Sequence, residues 1–467
     1  MGVNEILIKA AQLILSLAFL VTIHEFGHFI PARLFKTKVE RFYLFFNPWF
    51  SLFRYKKVNG VRKFSFFSKK APDNWEEEQN TTEWGIGWLP LGGYVKIAGM
   101  VDESMDKEQL DQAPKPNEFR AKKVWQRLII MVGGVTVNLV AGFLIYSAIA
   151  WVWGGSKINI NQIQHGMAIH PYLEKYGVYS GDKIIEVDGA PISSFEDINK
   201  GLLLRNGKEL TLIRKGNRVR VQLPDDLDQQ LFQHGAMNVA SFRVYLSKVD
   251  SVLEKSNASL AGMKAGDSIL AINGAKLKYF DELQSRLYSL KGKSASMQLL
   301  RNNDTLNLKV SVSEEGTIGF MPAFKGTSDT NSVKQVAYGF LGGLHKGIFG
   351  GAQMLSDYVA QFKFVFTKKG ASQLGGFTRI GEMFSPVWDW RSFWSITAFL
   401  SFALAFMNIL PIPALDGGHV VFLIYEWITG KEAPRKILEY AQYIGFFLLL
   451  GLMLYVNGND IYRLIFK

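Results

Sequence analysis

The chain has 467 residues, enough for several domains, and pairs a 48% hydrophobic content with 20% charged residues and a formal net charge of +12. That mixture points to apolar spans alternating with soluble modules. It contains no cysteine, which excludes disulfide bracing and any thiolate metal ligand, so a bound zinc must be held by histidine and carboxylate side chains.

Crossing an apolar bilayer core of roughly 30 Å takes about 20 apolar residues as a helix, and the first stretch of that kind runs from Ile6 to Ile30. Its front end carries Glu5 and Lys9 without a basic cluster, and no small-residue cleavage site follows, so it reads as a retained helix rather than a removed signal. Within it lies His24-Glu25-Phe26-Gly27-His28, an H-E-x-x-H pattern. Positions four apart stand one helical turn above each other, so both imidazoles reach one metal while Glu25 flanks it. A zinc ion lowers the pKa of its water to about 7, and a nearby carboxylate takes the proton, which is the chemistry of peptide hydrolysis. Ionisable groups inside an apolar span are costly unless paired or metal-bound, which favours a functional cluster over histidines satisfied by backbone. Pro31 removes the amide donor to the Gly27 carbonyl and frees backbone beside the site.

Behind this span, residues 33–70 hold eleven basic residues against one acid, Glu40. A nucleic-acid surface would show the same excess, but the position just after a membrane span makes the positive-inside rule the simpler explanation. Residues 37–123 are then cytoplasmic, and no nucleic-acid partner is expected. The second span runs from Ile129 to Val152, within a helix expected over 124–153.

The following region, placed outside the cytoplasm by the same charge argument, repeats itself at an offset of 85 residues. Gly177 to Gly189 matches Gly262 to Gly274, and Phe195-Glu196-Asp197-Ile198 falls on Phe280-Asp281-Glu282-Leu283. Each copy reads as a Gly-Asp turn, a short strand, an Asp-Gly or Asn-Gly tight turn and a helix. The pattern resembles the permuted PDZ domain of bacterial proteases, over 156–224 and 238–325. Residues 334–390, with a glycine-rich apolar segment from Tyr338 to Phe366, are expected to form an interfacial amphipathic region.

A third span is expected over 391–420 and a fourth over 436–457. The third ends in Asn408-Ile409-Leu410-Pro411-Ile412-Pro413-Ala414-Leu415-Asp416-Gly417-Gly418-His419. Non-helical backbone at membrane depth is tolerated when it is buried in protein or lines a wet cavity, so this Pro- and Gly-broken stretch suggests a site. A catalytic zinc usually takes three protein ligands, and Asp416 is the best candidate for the third, with His419 as its competitor. The first and third spans both run inward, which brings the two motifs to one membrane level.

With these motifs the chain resembles the site-2 proteases over nearly its whole length. The resemblance implies that His24, His28 and Asp416 hold Zn2+, that Glu25 is the catalytic residue, and that Asn408 handles substrate. It also identifies Pro90-Leu91-Gly92-Gly93-Tyr94-Val95-Lys96 with a re-entrant β segment. There Gly92, Gly93 and Tyr94 would bind an unwound substrate along a strand edge. Phe119 to Asn138, with Arg127, Gly133 and Gly134, matches the family's entry to the second span. Gly134-Val135 and Gly376-Phe377 stand where Gly-Pro is common.

The expected fold is an α-helical polytopic membrane protein with four transmembrane helices (the first within 1–36), a re-entrant β segment and two inserted α+β PDZ domains. The implied substrates are single-span membrane proteins, in bacteria anti-sigma factors and remnant signal peptides, after an upstream site-1 protease has acted. The implied location is the bacterial inner membrane among its lipids, with the PDZ domains extracytoplasmic. Two rival readings are a zinc transporter or sensor with PDZ scaffolds, which needs ligands along a path, and a membrane-anchored zincin acting on soluble peptides.

Overall fold

The computed structural model describes residues 2–72, 75, 81–90, 92–100, 113–323, 326 and 329–466. Leu91 of the predicted re-entrant segment, positions 101–112 of the cytoplasmic loop and positions 324–325 at the end of the second predicted PDZ domain lie outside the described residues. The chain forms two units: Met1–Gly154 with Ala337–Lys467, and Gly155–Val336.

The first unit opens with helix α1 (Val3–Leu34), 32 residues long, which at 1.5 Å per residue is about 48 Å and exceeds the apolar core of a bilayer. Pro31 lies inside this helix without ending it. Five strands follow: β1 (Val39–Leu44), β2 (Phe46–Val58), β3 (Val61–Ser68), β4 (Glu83–Leu89) and β5 (Tyr94–Ile97). They form one sheet in the order β3-β2-β4-β1-β5, which leaves β5 at an edge.

Period-two alternation gives this sheet one polar and one apolar face. On the polar face the Tyr43 hydroxyl and the Arg54 guanidinium, 3.0 Å away, both donate to the buried Glu83 carboxylate. On the apolar face the cross-strand partners are Phe42 with Trp84, Tyr55 with Trp84 and Phe64, and Phe53 with Ile86 and Phe66. Phe26 and Phe29 of α1 pack over Phe42 and Trp84, with ring centroids 4.7 to 6.0 Å apart. Phe64, Phe66 and Ile86 extend beyond that cover and are exposed. Helix α2 (Val124–Trp153) then returns along α1.

The second unit begins with β6 (Gly155–Ile158) and ends with β19 (Val333–Val336), which pair antiparallel so that Gly155 faces Val336. Between them lie two lobes with separate apolar cores. The first contains β7 (Met167–Ile169), β8 (Lys183–Val187), β9 (Ala190–Pro191), α3 (Phe195–Leu203), β10 (Glu209–Arg214), β11 (Asn217–Gln222), α4 (Leu227–Gln233) and β12 (Ala240–Phe242). The second contains β13 (Val249–Val252), α5 (Asn257–Leu260), β14 (Ser268–Ile272), β15 (Ala275–Lys276), α6 (Phe280–Ser289), β16 (Ser294–Arg301), β17 (Asp304–Ser311) and β18 (Phe320–Pro322).

The sequence repeat is also a structural one: β8 and β14 start at 183 and 268, β9 and β15 at 190 and 275, and α3 and α6 at 195 and 280. The same ion pair closes each copy. Arg214 donates to Asp182 and to the Gly177 carbonyl, and Arg301 donates to Asp267 and to the Gly262 carbonyl. The aspartate of each Gly-Asp turn is thereby fixed by a bidentate guanidinium contact, the stronger form of such a pair.

The chain re-enters the first unit as α7 (Phe340–Val365), followed by α8 (Lys368–Gln373), α9 (Phe377–Met383), α10 (Trp390–Ile409), α11 (Asp416–Thr429) and α12 (Arg435–Phe466). Among the described residues four helices are long and apolar enough to cross a membrane: Val3–Leu34, Val124–Trp153, Trp390–Ile409 and Lys436–Tyr462. The chain is an integral, polytopic membrane protein. Helix α7 is not one of the four, but it packs lengthwise on two of them. Gly343, Gly347 and Gly351 lie against Trp151, Ser147 and Phe143 of α2, where a Cβ would come within 2.2 to 2.9 Å. Beyond them Tyr358 and Phe362 meet Phe399 and Phe406 of α10.

Candidate metal centre

His24 and His28 sit one turn apart on the face of α1 that meets α2, and their side chains reach Asp416 at the first turn of α11. The Asp416 Oδ2 atom lies 3.2 Å from His24 Nε2 and 3.3 Å from His28 Nε2, and the two Nε2 atoms are 3.3 Å apart. These three residues are the one group of metal-type ligands found among the described residues.

Local sequence explains how Asp416 gets there. Helix α10 stops at Ile409, and Pro411 and Pro413 prevent the helix from simply resuming. Ala414 takes a left-handed conformation, with φ of +76°. The chain then folds so tightly that a Cβ on Gly417 would lie 2.2 Å from the Leu410 carbonyl oxygen, and one on Gly418 would lie 2.7 Å from that of Ile412. Both glycines of the Asp-Gly-Gly sequence are therefore required by space.

Helix α2 closes the other side. A Cβ on Gly134 would lie 2.4 Å from His28 Nε2 and 2.6 Å from His24 Cε1, so bare backbone is pressed against both imidazoles. The buried His28 ring is oriented by its Nδ1, which donates to the Ile130 carbonyl at 2.8 Å and leaves the Nε2 lone pair pointing at Asp416. Asp416 Oδ2 is itself buried and has no hydrogen-bond donor. An orphaned carboxylate oxygen facing an imidazole lone pair is unfavourable until a cation lies between them, and an N,N,O donor set is one that zinc accepts. The residues present fit that metal.

The remaining sequence candidates converge on the same place. A cavity of about 540 Å³ is lined by His24, Glu25, His28 and Asp416 together with Gly92, Gly93, Tyr94 and Asn408. The Asn408 amide lies 3.3 Å from His24 Nε2. Glu25 lines this cavity beside Val95 of edge strand β5. Gly93 is held where a Cβ would come within 2.6 Å of the Tyr43 carbonyl oxygen, and Tyr94 stacks on Tyr43 with centroids 5.2 Å apart. His419 lines the cavity but stands outside the three-residue cluster. The Ile130 carbonyl has no counterpart in the sequence motifs, since a backbone group carries no sequence signature.

The sequence profile of Peptidase family M50 matches residues 12–67 and 53–452. The chain is 26% identical over 476 residues to the Regulator of sigma E protease of Haemophilus influenzae, covering 97% of this chain and 98% of that protein. It is 27% identical over 473 residues to a Xylella fastidiosa protein named for zinc metalloprotease activity, covering 96% and 97%. A Campylobacter jejuni protein named in the same way is 25% identical over 469 residues, covering 100% and 96%. The chain belongs to Peptidase family M50 and is a zinc metalloprotease of the site-2 type.

Proposed function

We propose that the chain hydrolyses peptide bonds within the membrane-spanning segments of single-span proteins, with the metal held by His24, His28 and Asp416. The observation that carries this reading is the orphaned Asp416 Oδ2 facing two imidazole nitrogens between helices long enough to cross a bilayer. Bound zinc supplies Lewis acidity toward the scissile carbonyl and acidifies a water molecule.

The protein's own groups do the rest. Glu25 takes the proton of the attacking water and delivers it to the leaving amine, a role open to a carboxylate that touches the cavity without joining the ligand cluster. Edge strand β5 offers unpaired backbone groups, so an unwound substrate adds to the sheet with little demand on its sequence. Gly92, Gly93 and Tyr94 border that edge at the cavity, and the Asn408 amide orients the substrate carbonyl.

The relative from Haemophilus influenzae bears the name of a sigma E regulator. By analogy the substrates of this chain are anti-sigma factors and remnant signal peptides, cut after a site-1 protease has removed their external part. The analogy with the relatives supports a bacterial inner membrane, and the basic residues of 33–70 support a cytoplasmic position for that loop and an external one for Gly155–Val336. We assign its two repeated lobes to PDZ domains that exclude substrates with bulky external parts. Detergent-purified protein should contain one tightly bound zinc and cleave a designed transmembrane peptide. Cleavage confined to soluble peptides would refute the intramembrane reading.

A further inference from the structure

Helix α2 touches both imidazoles, but in different ways. Toward His28 it presents a backbone carbonyl, that of Ile130, which fixes the proton on Nδ1. Two turns further along the same helix, Asn138 faces His24. Asn138 is fully buried, and its backbone carbonyl accepts from the Ser401 hydroxyl of α10 at 2.7 Å, so its position is set from both sides.

As drawn, the Asn138 Nδ2 lies 3.3 Å from His24 Nδ1, while its Oδ1 is buried with no partner. The oxygen and nitrogen of an amide have nearly the same shape, and their assignment follows from the hydrogen-bond network. That network is specific here. His24 Nε2 faces Asp416 Oδ2 and the Asn408 amide, so Nε2 must carry the lone pair if it is to bind metal or accept from Asn408. The ring proton then sits on Nδ1, where a second donor would oppose it. Turning the Asn138 amide over removes the opposition and gives the orphaned oxygen a proton to accept.

We propose that Asn138 is a positioning residue that sets the tautomer of His24: its Oδ1 accepts the Nδ1–H and keeps the Nε2 lone pair directed at the metal. The two histidines are thus oriented from one helix, His28 by a carbonyl that no substitution removes and His24 by a side chain that one substitution does. This inference rests on the metal assignment above. Outer partners of metal-bound histidines commonly fix ring orientation in this way, and losing one costs about 10- to 100-fold in metal affinity.

The test uses the full chain in detergent, with zinc retention titrated against a chelator. Asn138→Leu, of similar size and without an acceptor, should weaken zinc binding about 10- to 100-fold. Asn138→Asp, which restores an acceptor oxygen, should bind within about threefold of the parent, on the tenfold per 1.4 kcal/mol scale. Nitrogen NMR of 15N-histidine-labelled, zinc-loaded parent protein, which requires no variant to fold, should show His24 protonated at Nδ1. Unchanged affinity in a folded Asn138→Leu, an Asn138→Asp as weak as the leucine variant, or a metal-bound Nδ1 at His24 would each overturn the proposal. Parent protein that binds no zinc, or binds it equally after His24→Ala, would instead overturn the metal assignment itself.

Discussion

A Cβ built on Gly133 would lie 2.0 Å from the carbonyl oxygen of Gly27, so α1 and α2 meet there backbone against backbone. The Gly27 carbonyl is the one deprived of its amide donor by Pro31, and the missing donor is what allows so close an approach. Gly133→Ala should force the helices apart at a cost of about 1 to 3 kcal/mol, the usual range for overpacking. The separation would also displace the Ile130 carbonyl from His28. Thermal unfolding in detergent should move to lower temperature, and zinc should be lost at lower chelator concentration than from the parent.

Glu25→Gln keeps the size of the side chain and removes its proton acceptor. Turnover of a transmembrane substrate should fall by about 10²- to 10⁴-fold, the usual contribution of a positioned acid or base. Zinc content should stay at the parent level. Turnover within tenfold of the parent would show that another group takes the proton.

Asp416→Ala should empty the site as His24→Ala does, because each leaves two of three ligands. His419→Ala should retain zinc, since His419 lines the cavity but stands outside the cluster. Metal analysis of the three purified variants decides the third ligand, and a zinc-free His419→Ala would transfer that role to His419.

The motif-level chemistry was open to a reader of the sequence because it is local. H-E-x-x-H stacks two imidazoles by helical spacing, and the Pro- and Gly-broken stretch around Asp416 announces a carboxylate on irregular backbone. The repeat at offset 85 was equally visible, since β8, β9 and α3 recur in register as β14, β15 and α6. What stayed hidden depends on pairing between distant segments. A re-entrant segment is expected at 90–96, but nothing local announces the five-stranded sheet to which Tyr94–Ile97 belongs, whose β1 pairs with β4 across some forty residues. The charges between Tyr338 and Phe366 suggest an interfacial segment, whereas the glycine contacts of α7 with α2 belong to tertiary packing that no local pattern carries.

The pairing of β6 with β19 sets Gly155 beside Val336, so a short flexible linker can join those two residues in place of the lobes between them. If the lobes exclude bulky substrates, that variant should cut full-length substrate that the parent ignores and still cut the trimmed form. Gel assays with both substrates decide the matter. Full-length substrate left intact, with slower cleavage of the trimmed form, would make the lobes a docking site.

In the first lobe, partial burial beside Lys291 and His234 pushes His170 down to about 4. Its Nδ1 accepts from the Tyr172 N–H at 3.2 Å, which protonation would abolish. Below pH ~6.5 the unfolded chain takes up a proton that the folded lobe refuses until about pH 4, so stability is full at neutral pH and declines as the pH falls through that window. The buried Met167 reports on this lobe, since peroxide oxidises it only on opening. The urea midpoint for Met167 oxidation should be lower at pH 5 than at pH 7, and His170→Gln should flatten the difference.

The uncovered part of the apolar sheet face has a practical consequence. Phe64 and Phe66 are 57% and 65% exposed, and Ile86 beside them is 38% exposed, all on the side where α1 packs on Phe42 and Trp84. An apolar patch of that kind on a soluble body would self-associate. A fragment spanning residues 37–100 should therefore precipitate when expressed by itself in water and stay dispersed in detergent, although none of the four long apolar helices found among the described residues lies in it. Hydropathy scanning alone would mark it as a soluble domain and lead an expression trial to failure.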